Sequence, residues 1–282
     1  MAIAVVTDST SDLPHELARE KAITVVPLTV AFGDETFRDG LDIDADRFYE
    51  RLQGGDVFPT TSQPSVGSFA QTYRELAGSC DGIISLHLST KVSGTYRSAM
   101  QARAEVADLG CPIEVIDTLQ ASMSLGLVAS AVADVVRDGV GFEEAAGIAR
   151  SLAERAYLYG MVETLEYLRR GGRVGRAQFF LGSLLRVRPI LSFVDGVVLG
   201  VERPRTRSKG IRRLVEMAEE KAPLDSLCVL DSTDSAGAAE LASRVAHLAP
   251  DGKPIMARFG PIVGAYLGPG ALGVTLISRN RS

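Results

Sequence analysis

The chain has 282 residues, which suffices for one large domain or two domains of ordinary size. Hydrophobic residues make up 46% and charged residues 23%, a balance typical of globular proteins that excludes disordered and collagen-like classes. The formal net charge is −5, aromatic residues make up only 6%, and Trp is absent. This composition disfavours a general nucleic-acid binder, which needs positive charge and exposed aromatic rings.

The cysteines and histidines are few and widely spaced. Cys80, Cys111 and Cys228 stand far apart, and the chain contains no CxxC, HxH or HExxH motif, so we predict no metal site. The odd number of cysteines and the lack of a basic leader predict a cytoplasmic protein. The most apolar stretch, residues 121–136, is too short to span a bilayer and predicts a buried helix rather than membrane insertion.

The first half alternates between strands and helices. Apolar, β-branched runs predict strands at residues 2–7, 23–32, 82–88 and 113–117. Helical periodicity predicts helices at residues 44–52, 66–77, 93–106, 120–137 and 142–155. Polar stretches predict loops at residues 37–43 and 58–65. Because this alternation is typical of parallel sheets, we predict an N-terminal parallel α/β domain over residues 1–157.

The second half has a different pattern. We predict strands at residues 159–162, 189–194, 197–202, 227–231, 255–259 and 273–278. We predict helices at residues 165–170, 177–187, 208–221 and 236–249. Asp195 and Gly196 separate two of the strands and predict a type I′ hairpin. We therefore predict a C-terminal mixed α+β domain over residues 158–282, packed closely on the first because no low-complexity linker separates them.

Two polar segments begin helices in the first half. They are residues 60–65, TTSQPS, and residues 89–95, STKVSGT. A helix N-terminus offers free N–H groups and a positive dipole end, and hydroxyl groups complete a site for a carboxylate or phosphate. Ordinary N-capping is the more common explanation for either segment alone. Two such segments in one α/β half favour a shared anion site.

A glycine-rich segment near the end of the chain resembles a nucleotide-binding motif only superficially. Residues 268–273, GPGALG, fit GxGxxG, but a strand follows instead of a helix and Pro269 lies inside, so we reject a dinucleotide site. The preceding residues 260–268 predict a constrained loop or short helix that lines a site. Tyr266 would be its polar tip, or a core residue with one hydrogen bond.

A basic region interrupts an otherwise acidic chain. Residues 160–215 contain 12 Arg or Lys and 4 Asp or Glu, a net charge of +8. Because the whole chain has a net charge of −5, the other residues together carry −13. A solvated surface with ion pairs is the ordinary explanation of a charge run. Here the contrast favours a docking or phosphate-facing surface, because Arg forks bind phosphate well. Charge alone leaves RNA binding open.

The chain shows no self-sufficient catalytic site. It contains neither GxSxG nor the P-loop pattern GxxxxGK[ST]. His87 is a conceivable base, but its place in an apolar strand favours a half-buried, hydrogen-bonded histidine. Asp42 and Asp44 are loop acids without an identifiable partner. We therefore predict no catalytic residues and no cofactor.

Five motifs in order give the chain a resemblance to the DegV family of fatty-acid-binding proteins. They are residues 6–13 (VTDSTSDL), 60–64 (TTSQP), 93–95 (SGT), 168–174 (LRRGGRV) and 268–273 (GPGALG). The resemblance covers nearly the whole chain. It implies two α/β domains with a long-chain fatty acid bound between them. In relatives that serve a fatty acid kinase, the carboxylate is presented to a separate ATP-binding kinase and becomes an acyl phosphate.

The resemblance also implies roles for particular residues. Thr61 and Ser93 would hold the carboxylate, and Ser62 and Gly94 would support it. In physical terms, hydroxyl donors leave a carboxylate oxygen free to attack phosphorus.

Positive charge from the basic region would act on the transferring group. Arg173 and Arg205 would belong to the surface that meets the kinase. Apolar segments 23–30, 121–132 and 181–191 are candidates to line the acyl chain, although ordinary core has the same composition.

One position departs from the family pattern. The family often has a His two residues before the Gly-Pro-Gly segment, where this chain has Tyr266. A phenol donates one hydrogen bond and carries no charge near neutral pH. We therefore expect Tyr266 to bind the head group with a geometry different from that of histidine. The alternative is that this protein takes a different lipid or a different partner.

Two other functions stay open at the level of sequence. The chain would be a lipid carrier or sensor if no kinase partner exists. A stand-alone phosphotransferase or hydrolase is the third hypothesis, which the lack of a nucleotide-binding motif disfavours.

Overall fold

The computed structural model describes residues 2–55, 57–180 and 187–279. The strands in these residues are β1 (Ile3–Asp8), β2 (Ile23–Val26), β3 (Thr29–Phe32), β4 (Glu35–Arg38), β5 (Thr60–Ser62), β6 (Gly82–His87), β7 (Ile113–Asp117), β8 (Ala156–Met161), β9 (Ile190–Val194), β10 (Val197–Glu202), β11 (Leu224–Asp231), β12 (Ile255–Arg258) and β13 (Leu272–Ser278). The α-helices are α1 (His15–Glu20), α2 (Ala45–Gly54), α3 (Val66–Ala77), α4 (Thr95–Glu105), α5 (Met123–Arg137), α6 (Phe142–Glu154), α7 (Glu166–Arg170), α8 (Arg207–Glu219), α9 (Ser235–Val245) and α10 (Pro261–Leu267).

The first half forms a parallel sheet in the order β2-β1-β6-β7. Successive side chains of a strand point to opposite faces, so Val5 belongs to the core cluster that contains α5 and α6, and Val6 belongs to the cluster that contains α3 and α4. Every residue of β6 is buried, as expected for a strand covered by helices on both faces. The predicted parallel α/β arrangement is confirmed.

The second half forms a mixed sheet in the order β10-β9-β8-β13-β11-β12. Neighbouring strands are antiparallel except β11 and β12, which are parallel. Asp195 and Gly196 join β9 to β10 with φ angles of 51° and 76°, the positive values that a type I′ turn requires. The predicted hairpin and the mixed character of this half are confirmed.

A small antiparallel sheet in the order β4-β3-β5 corrects three predictions. The single strand predicted over 23–32 is two strands in different sheets. Pro27 has no N–H for a ladder, and Leu28 N–H donates to the Ser9 hydroxyl at 3.0 Å instead. The loop predicted at 58–65 contains β5, and the loop predicted at 37–43 begins inside β4. Short pairing with β3, rather than hydrophobic alternation, makes these polar residues extended.

Helix α5 lies in the core that joins the two larger sheets. It belongs to a cluster containing Ile84 of the parallel sheet and Leu230 of the mixed sheet, so the buried helix predicted at 121–136 is confirmed. The expected domain boundary after residue 157 falls within β8 and stays a prediction. The helix predicted at 177–187 lies partly outside the described residues, which exclude 181–186. Within the described residues, 175–180 form a 3-10 helix. Among the helices described, none combines the length and the apolarity that crossing a membrane requires.

Candidate functional site

A cavity of about 350 Å³ is lined by residues of the mixed sheet, of β5 and of α10, and by residues that follow the strands of the parallel sheet, such as Thr10 and Leu88. Its volume lies in the range typical of small-molecule sites. Most of its wall is apolar, and the apolar side chains come from widely separated elements: Leu28, Leu88, Val92, Leu158, Leu168, Leu191, Phe193, Val198, Phe259, Ile262, Val263 and Leu267. The arrangement therefore offers an apolar slot between the two halves of the chain.

The polar part of the wall begins at β5. Thr61 pairs with Val30 of β3, and this extended backbone directs its half-buried side chain toward α10. The Thr61 hydroxyl is hydrogen-bonded to the Tyr266 hydroxyl at 2.5 Å. Two hydroxyl groups from residues far apart in the chain thus meet at one point of the cavity.

The start of α4 lies next to β5. Ser93 precedes the helix, and its hydroxyl accepts a hydrogen bond from Thr95 N–H at 3.3 Å. A Cβ on Gly94 would lie 2.0 Å from the Gln63 side-chain oxygen, so only glycine permits this approach. Gln63 in turn donates to the Ser98 hydroxyl at 2.9 Å. This contact brings the two polar segments together.

Helix α10 and the segment after α7 complete the polar wall. Four α10 residues that line the cavity are spaced as one helix face: Ile262, Val263, Tyr266 and Leu267. The Arg173 guanidinium lies over the Tyr266 ring, 5.4 Å from its centroid. Its Nη1 donates to Gly171 O at 2.9 Å and its Nε to Val92 O at 3.4 Å. One cation therefore lies beside the hydroxyl groups.

Most of the site residues predicted from the sequence lie together. Those that line the cavity are Thr61, Ser62, Ser93, Gly94, Arg173 and Tyr266. Arg205 is exposed between β10 and α8 and does not line it. Arg173, which the resemblance assigns to the surface that meets a kinase, is exposed and is also part of the cavity wall.

The apolar candidates are represented only in part. Each of the three predicted segments contributes an apolar residue to the cavity wall: Leu28, Ala121 and Leu191. Residues 181–186 of the third segment lie outside the described part of the chain. The sequence reasoning missed Leu88 and Phe193. The position of Leu88, at the carboxyl end of a parallel strand, was a usable signal.

Two buried aspartates behind the cavity were also missed. Asp12 accepts hydrogen bonds from the Ser122 hydroxyl and from Gly260 N–H, and burial raises its pKa well above the usual range. Burial raises the pKa of Asp39 to about 7, and nearby Asp8 contributes. Asp39 Oδ2 is buried without a hydrogen-bond partner. Both carboxyls are thus biased toward the protonated form.

A buried chain of hydrogen bonds fixes the carboxyl end of β6. Tyr73 O–H donates to Ser85 Oγ at 2.9 Å, Ser85 is bonded to His87 Nε2 at 2.7 Å, and His87 Nδ1 to Asp8 at 2.8 Å. His87 was predicted to be half-buried, but it is fully buried. Ser85 and His87 have no solvent exposure, so this Ser-His-Asp arrangement is closed to a substrate. Its hydrogen bonds instead join β6 to its neighbours.

Within the described ranges, no cluster of three or more His, Cys, Asp or Glu side chains is arranged to hold a metal ion.

The fold and the cavity define an α/β protein whose cavity has a mostly apolar wall and a group of polar side chains. The chain belongs to the DegV family: the family model described as "Uncharacterised protein, DegV family" matches residues 2–279. The resemblance and the fold class predicted from the sequence are both confirmed.

Individual relatives match along almost their whole length. Protein DegV of Bacillus subtilis is 37% identical over 97% of this chain and 98% of its own. A DegV domain-containing protein of Streptomyces coelicolor is 40% identical over 98% of this chain and 99% of its own.

Solved structures give the same picture. The DegV fatty acid binding protein of Bacillus subtilis has a TM-score of 0.89 at 34% identity, covering 99% of this chain and 100% of that one. A DegV family protein of Thermus thermophilus, described for its fatty acid binding, has a TM-score of 0.89 at 33% identity, with coverage of 99% and 100%. A stearic-acid-binding protein of Eubacterium ventriosum has a TM-score of 0.89 at 28% identity, with coverage of 98% of each chain.

Proposed function

We propose that this protein binds a long-chain fatty acid in the cavity and presents its carboxylate to a separate ATP-binding fatty acid kinase. The observation that carries the proposal is the cavity itself, where Thr61, Tyr266 and Ser93 contribute hydroxyl groups to a mostly apolar space. Similar DegV structures bind fatty acids.

The carboxylate is assigned to the polar end. The Ser93 hydroxyl can donate one hydrogen bond to it, and the hydrogen-bonded pair of Thr61 and Tyr266 can donate the one hydroxyl proton that their mutual bond leaves free. Ser62 and Gly94 border the same space. Hydrogen bonds to a charged group are worth about 1.5–3 kcal/mol each. The head group is therefore held without a metal ion.

The acyl chain is assigned to the apolar wall. Each buried methylene contributes about 0.8 kcal/mol, so a long chain supplies most of the binding free energy. Leucine, valine and phenylalanine side chains from both halves of the chain provide the matching surface.

The kinase step is assigned to the exposed arginines. Arg173 lies beside Tyr266, and Arg205 is exposed between β10 and α8. Guanidinium groups bind phosphate oxygens and stabilise charge on a transferring phosphoryl group. The proposal keeps the cytoplasmic location expected from the sequence, where ATP is available to the partner.

Lipid binding is tested with the purified full-length protein. We expect mass spectrometry of extracted lipid, and titration with palmitic, stearic and oleic acids, to show a bound fatty acid. Thr61→Val removes one hydroxyl and should weaken binding roughly 10- to 100-fold. Thr36→Val, on the exposed face of β4, is the matched control and should leave affinity unchanged. A protein that retains none of these acids would overturn the proposal.

The kinase role is tested by adding ATP, magnesium and an ATP-binding fatty acid kinase and measuring acyl phosphate. Arg173→Ala and Arg205→Ala should lose product formation while retaining bound lipid, and Arg244→Ala on α9 should behave like wild type. Product formed without the kinase would indicate a stand-alone phosphotransferase. Lipid binding without product, with an active kinase present, would indicate a carrier or sensor.

A further inference from the structure

Two cysteines meet at the amino end of the parallel sheet. Cys80 lies two residues before β6 begins, and Cys111 lies two residues before β7 begins. Because β6 and β7 are parallel neighbours, this symmetry brings the two residues to the same edge. Their Sγ atoms are 4.0 Å apart, and both residues are free thiols.

We propose that Cys80 and Cys111 form a reversible redox site, which closes to an intramolecular disulfide when a low-molecular-weight disulfide is the oxidant. A disulfide bond needs an S–S distance of about 2.0 Å, so each sulfur has to move by about 1 Å. Both residues lie outside the strands, next to the exposed residues Ser79 and Gly110, and are only partly buried against the core cluster between α3 and α4.

The site is reachable by a small oxidant. Both cysteines are half-buried at the rim of the sheet, whereas Cys228 is completely buried in β11. Burial, together with Cys80 and Asp81, raises the pKa of the Cys111 thiol to about 11. Since the thiolate is the reacting form, exchange through Cys111 is slow at neutral pH.

The chemistry is a two-step exchange. One protein thiolate attacks the oxidant's S–S bond, forms a mixed disulfide and releases one small thiolate. The second protein thiolate then attacks the protein sulfur of that mixed disulfide and releases the other small thiolate. The cysteine pair loses two electrons, the oxidant gains them, and the two protein thiol protons pass to the released thiolates.

The location predicts what the bond does. It closes a loop that contains β6 and α4, so it restricts the unfolded chain and stabilises the fold. The cavity wall lies at the other end of these strands, where Leu88 and Ser93 follow β6. We expect oxidation to raise thermal stability and to leave the cavity unchanged.

The test uses the native full-length protein incubated with oxidised glutathione. The intact mass should fall by about 2 Da, the mass of two hydrogens, and peptide mapping should link Cys80 to Cys111. The midpoint of thermal unfolding should rise and return after reduction with dithiothreitol.

Variants separate the two steps. Cys111→Ser should stop at the mixed disulfide and retain about 305 Da of glutathione on Cys80. Cys228→Ser is the matched control and should form the same Cys80–Cys111 bond as wild type. Unmodified thiols, a persistent glutathione adduct on the wild-type protein, or a bond to Cys228 would each overturn the proposal. None of these readouts depends on lipid binding.

Discussion

Tyr266 combines several contacts at one position. Its hydroxyl is bonded to Thr61, its ring lies under Arg173, and a Cβ on Gly171 would lie 2.5 Å from that ring. The ring position is thus fixed by close packing, while Tyr266 and its partner Thr61 both line the cavity. We propose that Tyr266 acts in the head-group site at the position where the family pattern often has histidine.

Removing the Tyr266 hydroxyl should weaken fatty acid binding. Tyr266→Phe keeps the ring and deletes one donor to the carboxylate, so we expect affinity to fall by roughly tenfold or more in a titration. Tyr266→His restores a donor and should bind more tightly than Tyr266→Phe. Tyr96→Phe, whose ring packs in the cluster between α3 and α4, is the control. Equal affinity of Tyr266→Phe and wild type would remove this residue from the head-group site.

At the scale of elements, the hydrogen-bond chain from Tyr73 through His87 to Asp8 joins α3, β6 and β1. His87 also packs edge-on against Phe69, with ring centroids 4.9 Å apart. A buried polar chain stabilises a fold when every member has a partner and destabilises it when one partner is lost.

His87→Phe should therefore destabilise the protein strongly. The ring contact with Phe69 is kept, but Asp8 and Ser85 each lose a buried partner, which costs roughly 2–5 kcal/mol in the free energy of unfolding. Urea unfolding followed by circular dichroism measures this. His247→Phe makes the same chemical change at an exposed position and should have little effect. A similar midpoint for both variants would show that the buried chain contributes no stability.

Elements with strong periodicity were predictable from the sequence, and those defined by short polar pairing were not. Helix α3 and strand β7 match their predicted ranges, because each has its own apolar pattern and clear ends. Strand β5 has three polar residues and is extended only because β3 lies beside it. The same reason limits how much of the candidate site the sequence predicts. Thr61 and Ser93 could be predicted because they belong to recognisable motifs. Asp39 gave no local signal, since its burial depends on α10.

At the scale of the whole molecule, the buried acids connect stability to pH. Asp39 has a folded-state pKa raised to about 7, above its value in an unfolded chain. The folded protein therefore binds more protons than the unfolded chain between these two values, and the free energy of unfolding falls as pH rises. Asp12, whose pKa is also raised, acts in the same direction.

Asp39→Asn should flatten this dependence. One such group changes the free energy of unfolding by at most about 1.4 kcal/mol per pH unit, between the unfolded-state pKa near 4 and the folded-state value. Urea unfolding measured from pH 4 to pH 8 should show wild type losing stability relative to Asp39→Asn as pH rises. Asp251→Asn, at an exposed turn, is the control and should run parallel to wild type. Parallel curves for Asp39→Asn would show that Asp39 titrates normally.

The place of β13 in the mixed sheet sets the order of events during synthesis. This strand follows every other strand of its sheet along the chain, yet it lies between β8 and β11 and pairs with both. While the ribosome is still translating the earlier strands, β8 and β11 lack their common neighbour, and their edges stay open. The mixed sheet that carries the β8 and β9 part of the cavity wall is therefore complete only after β13 has been synthesised, and under the proposed function fatty acid binding follows that step.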